Sequence, residues 1–382
     1  MTSYLDNAAS SCPKPPQVVE AVDECLRSYC ANPGRGAHAT AVEAARIIHR
    51  TRQKAASFLG VSDSADIIFT ANATDSLNIA LHGLLSCGDH VVTSVVEHNA
   101  VARPLIVLEK QGVKVTRVTT DSTGRLEPED IVSAIRPETR LVVLTHASNI
   151  TGVIQPIDEI NNVLLEKGVP LLLDAAQSAG TLKLDMKSMP VGMMACTGHK
   201  SLLGPQGVGL LYISPELELA SVRQGGTGTH SDEAQDELAR PDRYECGTLN
   251  TPGIAGLGAG ITYIEEKGLK QITDHKNMLT AALHEGLLDI ENVTVYGPAF
   301  GEPRGPLVAF NIAGMPSSEV AGLLDREYGI ASRAGLHCAP GAHRIMGTHE
   351  NGAVRLSVGL FNTTEEIEAA LEAVGKIAAS RP

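Results

Sequence analysis

Val169-Pro-Leu-Leu-Leu-Asp174-Ala-Ala-Gln177 is the stretch on which the fold turns. Its apolar run has no polar break, which reads as a short strand buried on both faces. Asp174 ends that strand, and in open α/β sheets the carboxyl ends of the strands border the ligand crevice. A buried, unpaired carboxylate there costs on the order of several kcal/mol, so the position calls for a cation. Thr197-Gly-His199-Lys200 supplies one. Lys200 leaves a second short strand, Met193–Cys196, and so stands beside the crevice instead of on a solvated helix face. An aspartate at a strand end is also a common helix cap. The lysine that follows, and the glycine-rich turn Gly204–Gly209 leading into another apolar strand, favour the crevice.

Working outward, the same rhythm holds on both sides. Asp66–Thr70, His90–Val95, Val113–Val118, Arg140–Thr145, Val169–Asp174 and Gly207–Ile213 read as strands. Thr74–Leu85, Ala100–Gln111, Pro128–Ile135 and Pro156–Glu166 read as the helices between them, after two amphipathic stretches at Pro16–Tyr29 and Ala37–Leu59. Strands separated by helices of this length imply right-handed crossovers and a mostly parallel sheet covered on both faces. Near Thr251 the pattern changes to a Gly/Ala-rich segment, a long helical stretch (Ile261–Leu287) and sparser strands at Val293–Tyr296, Leu307–Ile312 and Val354–Val358. A helix, Thr364–Ala379, closes the chain. We expect a large α/β domain over residues 15–252, and a smaller α+β domain over 253–382 joined by residues 1–14.

Composition narrows the function classes. The chain has 382 residues, 43% hydrophobic and 20% charged, which excludes disorder and coiled coil. No apolar run approaches the roughly 18 residues of a membrane helix. A net charge of −13 disfavours non-specific nucleic-acid binding, and aromatics at 3% without tryptophan leave no stacking platform for single strands. The first residues, MTSYLDNAASSCPKPP, show no basic n-region or apolar h-region. Seven cysteines without regular spacing argue against a disulfide framework. A cytoplasmic metabolic enzyme is the expectation.

Two tempting motifs are set aside. Gly256-Leu-Gly-Ala-Gly260 has neither the G-x-G-x-x-G spacing nor a preceding strand, so close helix packing is the better reading than dinucleotide binding. His337, Cys338, His343 and His349 match no zinc spacing, and no metal is expected. The pair that remains is a carboxylate for a pyridinium nitrogen and a lysine for covalent attachment, which is what pyridoxal phosphate requires.

These residues sit within a longer series of motifs: Tyr4-Leu-Asp-Asn-Ala-Ala-Ser10, Asn32-Pro-Gly-Arg-Gly-Ala-His38, Asn72-Ala-Thr-Asp75, Glu97-His98-Asn99, His146-Ala-Ser-Asn149, Asp174-Ala-Ala-Gln177, Thr197-Gly-His-Lys200, Glu245-Cys-Gly-Thr248, Arg333-Ala-Gly-Leu-His-Cys338-Ala and Arg355. In order and spacing the series resembles the cysteine desulfurases of the class V aminotransferase fold, on the type II branch that includes SufS-like and selenocysteine-lyase-like proteins. The resemblance implies a pyridoxal-phosphate enzyme of fold type I and a homodimer. It implies Lys200 as the lysine that bonds the cofactor and moves the Cα proton, Asp174 on the pyridine nitrogen, Gln177 on the phenolic oxygen, His98 against the ring and as a second catalytic group that handles a proton, and Asn149 among the cofactor's contacts. Ala73, Thr74, Thr197 and His199 would hold the phosphate, with Thr248 reaching the phosphate of the neighbouring subunit. Asn149 and Arg355 would hold the amino-acid substrate, Arg355 on its carboxylate, with Asn7, Ala8, Ala9 and Arg333 around it.

Cys338 separates the functions this fold hosts. A free cysteine is most often buried and inert. Here it lies in a loop similar to the family's Arg-x-Gly-x-x-Cys-Ala, with Arg333 and His337 as neighbours that favour a thiolate. Arg355 follows 17 residues later, a short interval like the type II loop. Leu336 departs from the better-known members, which carry histidine there. The reading is a desulfurase that takes sulfur from L-cysteine as a persulfide on Cys338 and passes it to an acceptor protein or reductant, leaving L-alanine. Selenocysteine β-lyase is the alternative. An aminotransferase or epimerase would leave Cys338 idle, and a non-catalytic carrier would have no use for the Asp174–Lys200 pair.

Overall fold

A computed structural model of the chain describes residues 3–34, 36–228 and 232–380; Arg35 of the Asn32–His38 motif lies outside them. The chain opens with β1 (Ser3–Tyr4), α1 (Pro16–Ser28) and α2 (Ala39–Phe58). Next come β2 (Ile67–Thr70), α3 (Ala73–Leu84), β3 (His90–Ser94), α4 (Asn99–Lys110), β4 (Lys114–Val118), α5 (Pro128–Ser133), β5 (Thr139–Thr145), α6 (Ile157–Glu166), β6 (Leu171–Asp174), β7 (Met193–Thr197) and β8 (Gly209–Ile213). The remainder is α7 (Thr251–Lys267), α8 (Leu269–Leu288), β9 (Val293–Tyr296), β10 (Leu307–Ile312), α9 (Ser317–Tyr328), β11 (Ile330–Ala331), β12 (Arg333–Gly335), α10 (Pro340–Ile345), β13 (Ala353–Ser357) and α11 (Thr364–Ala379).

Strands β2 to β8 form one sheet in the order β2-β8-β7-β6-β5-β3-β4. It is the mostly parallel α/β sheet the pattern predicts: β3 to β7 run parallel, and β8 alone is antiparallel to its neighbours. The period-2 pleat explains why these strands read as unbroken apolar runs. Val142, Leu144, Leu171, Leu173 and Met194 enter one core, while Leu141, Val143, Leu172 and Met193 enter the other. Helices α2 and α6 cover the first face, and α3 and α4 the second. A second, antiparallel sheet, β12-β13-β10-β9, packs its own core against α8, α9 and α11. The N-terminal stretch joins this second sheet's side of the molecule, with β1 parallel to β11 and Asp6 bridged to Ser357.

The Gly/Ala-rich segment is helical and closely packed, as read at Gly256–Gly260, and forms most of α7, whereas the helical stretch expected over Ile261–Leu287 breaks at Gly268 into two helices. Helix α7 begins where the smaller domain was expected to start, yet Ile254, Leu257, Ile261 and Ile264 lie in the large sheet's core. Its glycines permit this packing. A Cβ on Gly260 would meet the Leu202 carbonyl oxygen at 2.5 Å, and one on Gly258 would meet Thr51 Oγ1 at 2.5 Å. Ile254, Leu257, Ile261 and Ile264 recur at helical spacing, and it is the partner of this face, not the helix, that the sequence leaves open. Among the described residues, no helix is long and apolar enough to cross a membrane.

Candidate active site

The carboxyl ends of β5, β6 and β7 open onto a cavity of about 270 Å³. Asp174, the last residue of β6, is 4% exposed and accepts from the Ala176 amide at 3.0 Å. Lys200 lines the same cavity, three residues beyond the end of β7. Burial pulls its pKa down to about 8; Asp174 opposes the shift, while Arg355 and Arg333 add to it. The sequence-predicted pair therefore meets in one pocket.

His98 serves the cavity and a helix cap at once. It lines the cavity, and its Nδ1 accepts from the Ala100 amide at 3.0 Å as the N-cap of α4. That bond places the proton on Nε2, and burial holds the ring below the ordinary histidine pKa, so it is a neutral donor. At the far wall the first turn of α3 presents Ala73 and Thr74, behind the Asn72 cap that accepts from the Asp75 amide at 3.0 Å. A helix start of this kind favours an anion. Thr197 Oγ1 and His199 Nδ1 are buried at the same cavity with no hydrogen-bond partner. Burial lowers the His199 pKa to about 4, so that ring is neutral too. Gln177 donates to the Ala8 carbonyl at 3.0 Å, and Ala8 and Ala9 line the cavity beside it.

Arg355, fully buried on β13, closes the opposite side. It pairs with Asp6 and donates to the Asn149 carbonyl at 2.9 Å, while its Nε has no partner. Asn149 in turn donates to the His337 carbonyl at 2.6 Å, which ties this wall to the cysteine loop. Arg333 Nη2 stands 3.8 Å from Cys338 Sγ.

The family profile described as Aminotransferase class-V matches residues 3–370. A probable cysteine desulfurase of Methanothermobacter thermautotrophicus is 38% identical, over 98% of this chain and 94% of its own length. The cysteine desulfurase of Haloferax volcanii is 31% identical over 97% of this chain and 88% of its own. Among solved structures, the apo cysteine desulfurase of Thermococcus onnurineus superimposes with a TM-score of 0.93 at 35% identity, covering 100% of this chain and 95% of that one. The Escherichia coli cysteine desulfurase CsdA, in an S-sulfonic acid form, gives 0.88 at 28% identity, covering 99% and 95%. The chain belongs to the class V aminotransferase family.

Class V aminotransferases of the desulfurase group are pyridoxal 5′-phosphate enzymes, and the donor set here fits that group. The two orphaned buried atoms, Thr197 Oγ1 and His199 Nδ1, lie beside an anion-favouring helix start. The carboxylate of Asp174 and the amine of Lys200 line the same pocket and are the groups that a pyridinium nitrogen and an aldehyde would call for.

Some family positions sit elsewhere than expected. Asn7 lies behind the wall formed by Ala8 and Ala9, donating to Asn362 Oδ1 at 3.1 Å and accepting from the Cys12 amide at 3.2 Å. It shapes the N-terminal segment and does not line the pocket. Thr248, which the resemblance assigns to the neighbouring subunit's phosphate and not to this pocket, is exposed and accepts from Asn32 at 3.2 Å. His337 is turned away from the thiol. Its ring stacks on His343 with centroids 5.6 Å apart, and burial pushes its pKa to about 3. It therefore brings no positive charge to Cys338, and Arg333 is left as the cation beside the sulfur. Sequence proximity suggested otherwise because it carries no information on side-chain direction at a left-handed residue; His337 has φ of 49°.

Other residues of the site were not anticipated. Ser11 donates to the Lys200 carbonyl at 2.9 Å and Lys14 to the His199 carbonyl at 2.7 Å, bracing the lysine turn from the N-terminus. Their signal in the sequence was adjacency to the Tyr4–Ser10 motif. Thr145 lines the floor from the end of β5, a position the strand-end rule could have flagged.

Proposed function

We propose that this protein is a cysteine desulfurase that converts L-cysteine to L-alanine and takes the sulfur as a persulfide on Cys338. The observation that carries the reading is Arg333, which lines the pocket of Lys200 and Asp174 and holds its guanidinium beside the Cys338 thiol. Bound pyridoxal phosphate supplies an electron sink for negative charge that develops at the substrate Cα. Lys200, with its pKa near 8, is suited to move the Cα proton close to neutral pH. Asp174 holds a proton on the ring nitrogen, and Arg355 with Asn149 orients the substrate carboxylate. The Cys338 thiolate then takes the sulfur: the new S–S bond forms as the Cβ–S bond breaks with its electron pair left on carbon, Cβ gains a proton, and the proton Lys200 removed returns to Cα to complete alanine.

The reading extends to a cytoplasmic homodimer in which Thr248 serves the partner's phosphate site, and to an acceptor protein or reductant for the sulfur. Product analysis with L-cysteine under reductant tests the activity, and alanine with sulfide is the expected result. Cys338→Ala is expected to abolish alanine formation from L-cysteine. It should retain appreciable cleavage of L-selenocysteine, whose selenol leaves without a nucleophile to take it. Wild-type desulfuration by Cys338→Ala would make the cysteine a bystander and overturn the persulfide step.

A further inference from the structure

A second cavity, of about 840 Å³, lies across Arg333 from the first. Its walls come from the end of β3, the start of α4 and the cysteine loop, and Arg333 is the residue shared with the pocket of Lys200. Cys338 lines this second cavity and not the first. The left-handed backbone at Cys338, φ 57°, and the Asn99 amide donating to its carbonyl at 2.7 Å hold the loop in this position.

The cavity's charge runs against that of the chain, which carries −13 overall. Arg103, Arg117, Arg333 and Arg344 line it. Arg117 is paired with Glu109, whereas neither Arg103 nor Arg344 has a carboxylate partner among the described residues. The one carboxyl on the wall, Glu97, is 3% exposed and accepts from Ser94 at 2.6 Å. Burial raises its pKa to about 8, so it does not neutralise the arginines near pH 7. Leu105, Ile106, Leu336 and Ile345 add apolar surface.

We propose that this cavity is a delivery chamber, an acceptor site for a small thiol that bears carboxylates. The sulfur it delivers rests on the desulfurase reading; the binding of a carboxylate does not. The volume falls in the range of roughly 300–1,000 Å³ typical of small-molecule sites, and guanidinium groups bind carboxylates in bidentate fashion. The transfer needs no outside oxidant or reductant. The acceptor thiolate attacks the outer sulfur of the Cys338 persulfide, and a bond from the acceptor sulfur forms as the bond to Sγ breaks. The electron pair remains on Sγ as the thiolate, beside Arg333, and the acceptor leaves as a persulfide.

The test compares mercaptosuccinate, 2-mercaptoethanol and cysteamine as acceptors for the holoenzyme and for an Arg103→Gln/Arg344→Gln variant. The expected result is a loss of about tenfold in second-order rate with mercaptosuccinate, with cysteamine unchanged or faster. The alanine burst without added thiol should be the same in both proteins. Succinate, which has the carboxylates but no thiol, should saturably slow alkylation of Cys338 by iodoacetamide in the wild type and not in the variant, read by peptide mass spectrometry. An equal loss with all three thiols, an undiminished mercaptosuccinate rate, or absence of succinate protection would overturn the proposal. Absence of alanine from the wild type would sink the desulfurase reading and the hand-over with it, and succinate protection would still decide the anion site.

Discussion

Lys276 on α8 is 3% exposed, and its amine meets hydroxyls instead of a carboxylate, lying 3.3 Å from Thr181 Oγ1 and 3.2 Å from Ser201 Oγ. Burial pulls its pKa down from 10.5 to about 8. The sign follows from linkage: between about pH 8 and 10.5 the unfolded chain binds more protons than the folded one, so native stability rises with pH across that window. Below it the folded protein bears the full cost of an unpaired buried ammonium. Lys276→Met is expected to stabilise the protein at pH 7 by about 1–3 kcal/mol. The two hydroxyls remain satisfied by each other at 2.9 Å. Urea midpoints at pH 7 and pH 9.5 check this, and the gain over wild type should shrink at the higher pH; a variant no more stable than wild type at pH 7 would contradict it. Nothing in Thr273-Asp-His-Lys276-Asn marks the lysine as buried, because its local sequence is that of a solvated helix face. His98 was more legible, since it sits in the Glu97-His98-Asn99 motif.

At the scale of the element, the cysteine loop owes its position to one glycine. Gly341 is the second residue of α10, and a Cβ there would lie 1.8 Å from the carbonyl oxygen of Val95, just past β3. Gly341→Ala must therefore push α10 off the strand end and carry Cys338 with it. We expect alanine formation from L-cysteine to fall by about tenfold or more, while cofactor absorbance stays intact, because the binding residues of Asp174 and Lys200 lie on other elements. Wild-type turnover in this variant would show that the loop tolerates the shift. Helix α11 shows the opposite case. Thr363 and Glu366 form a reciprocal capping box, and the helix spans Thr364–Ala379 as its sequence signals predict. Caps are local chemistry and can be read from sequence, whereas the contact between Gly341 and Val95 joins residues far apart in the chain.

Across the whole molecule, histidines are buried in neutral form. His146, His337 and His343 have pKa values lowered by burial to about 4, 3 and 4. Below about pH 6.5 the unfolded chain takes up protons that these rings refuse, so stability falls as pH drops from there toward their folded values. Each should withdraw about 2 kcal/mol by pH 5. Urea unfolding at pH 7.5 and pH 5.0 tests this in a range where most carboxylates remain ionised, and equal midpoints would refute it. The loss should be felt first in the cysteine loop, where His337 and His343 stack and Thr348 completes the chain at 2.8 Å from His343.

Strand-length apolar runs, the aspartate that ends one and the lysine that follows another were enough for the sheet and for the Asp174–Lys200 pair, because both depend on residues adjacent in the chain. The motif series carried the family for the same reason. What the tertiary structure alone decided lies between distant segments. Helix α7 joined the large sheet's core because its glycines let it approach Thr51 and the Leu202 carbonyl closely. Asp6 reached Arg355, and Ser11 and Lys14 reached the lysine turn, by closure of the N-terminal segment onto the far end of the chain. His337 turned inward and left Arg333 beside the thiol, and the arginines of four separate segments gathered around one cavity. Side-chain direction and burial are set by packing over the whole fold, and a short-range pattern holds no record of either.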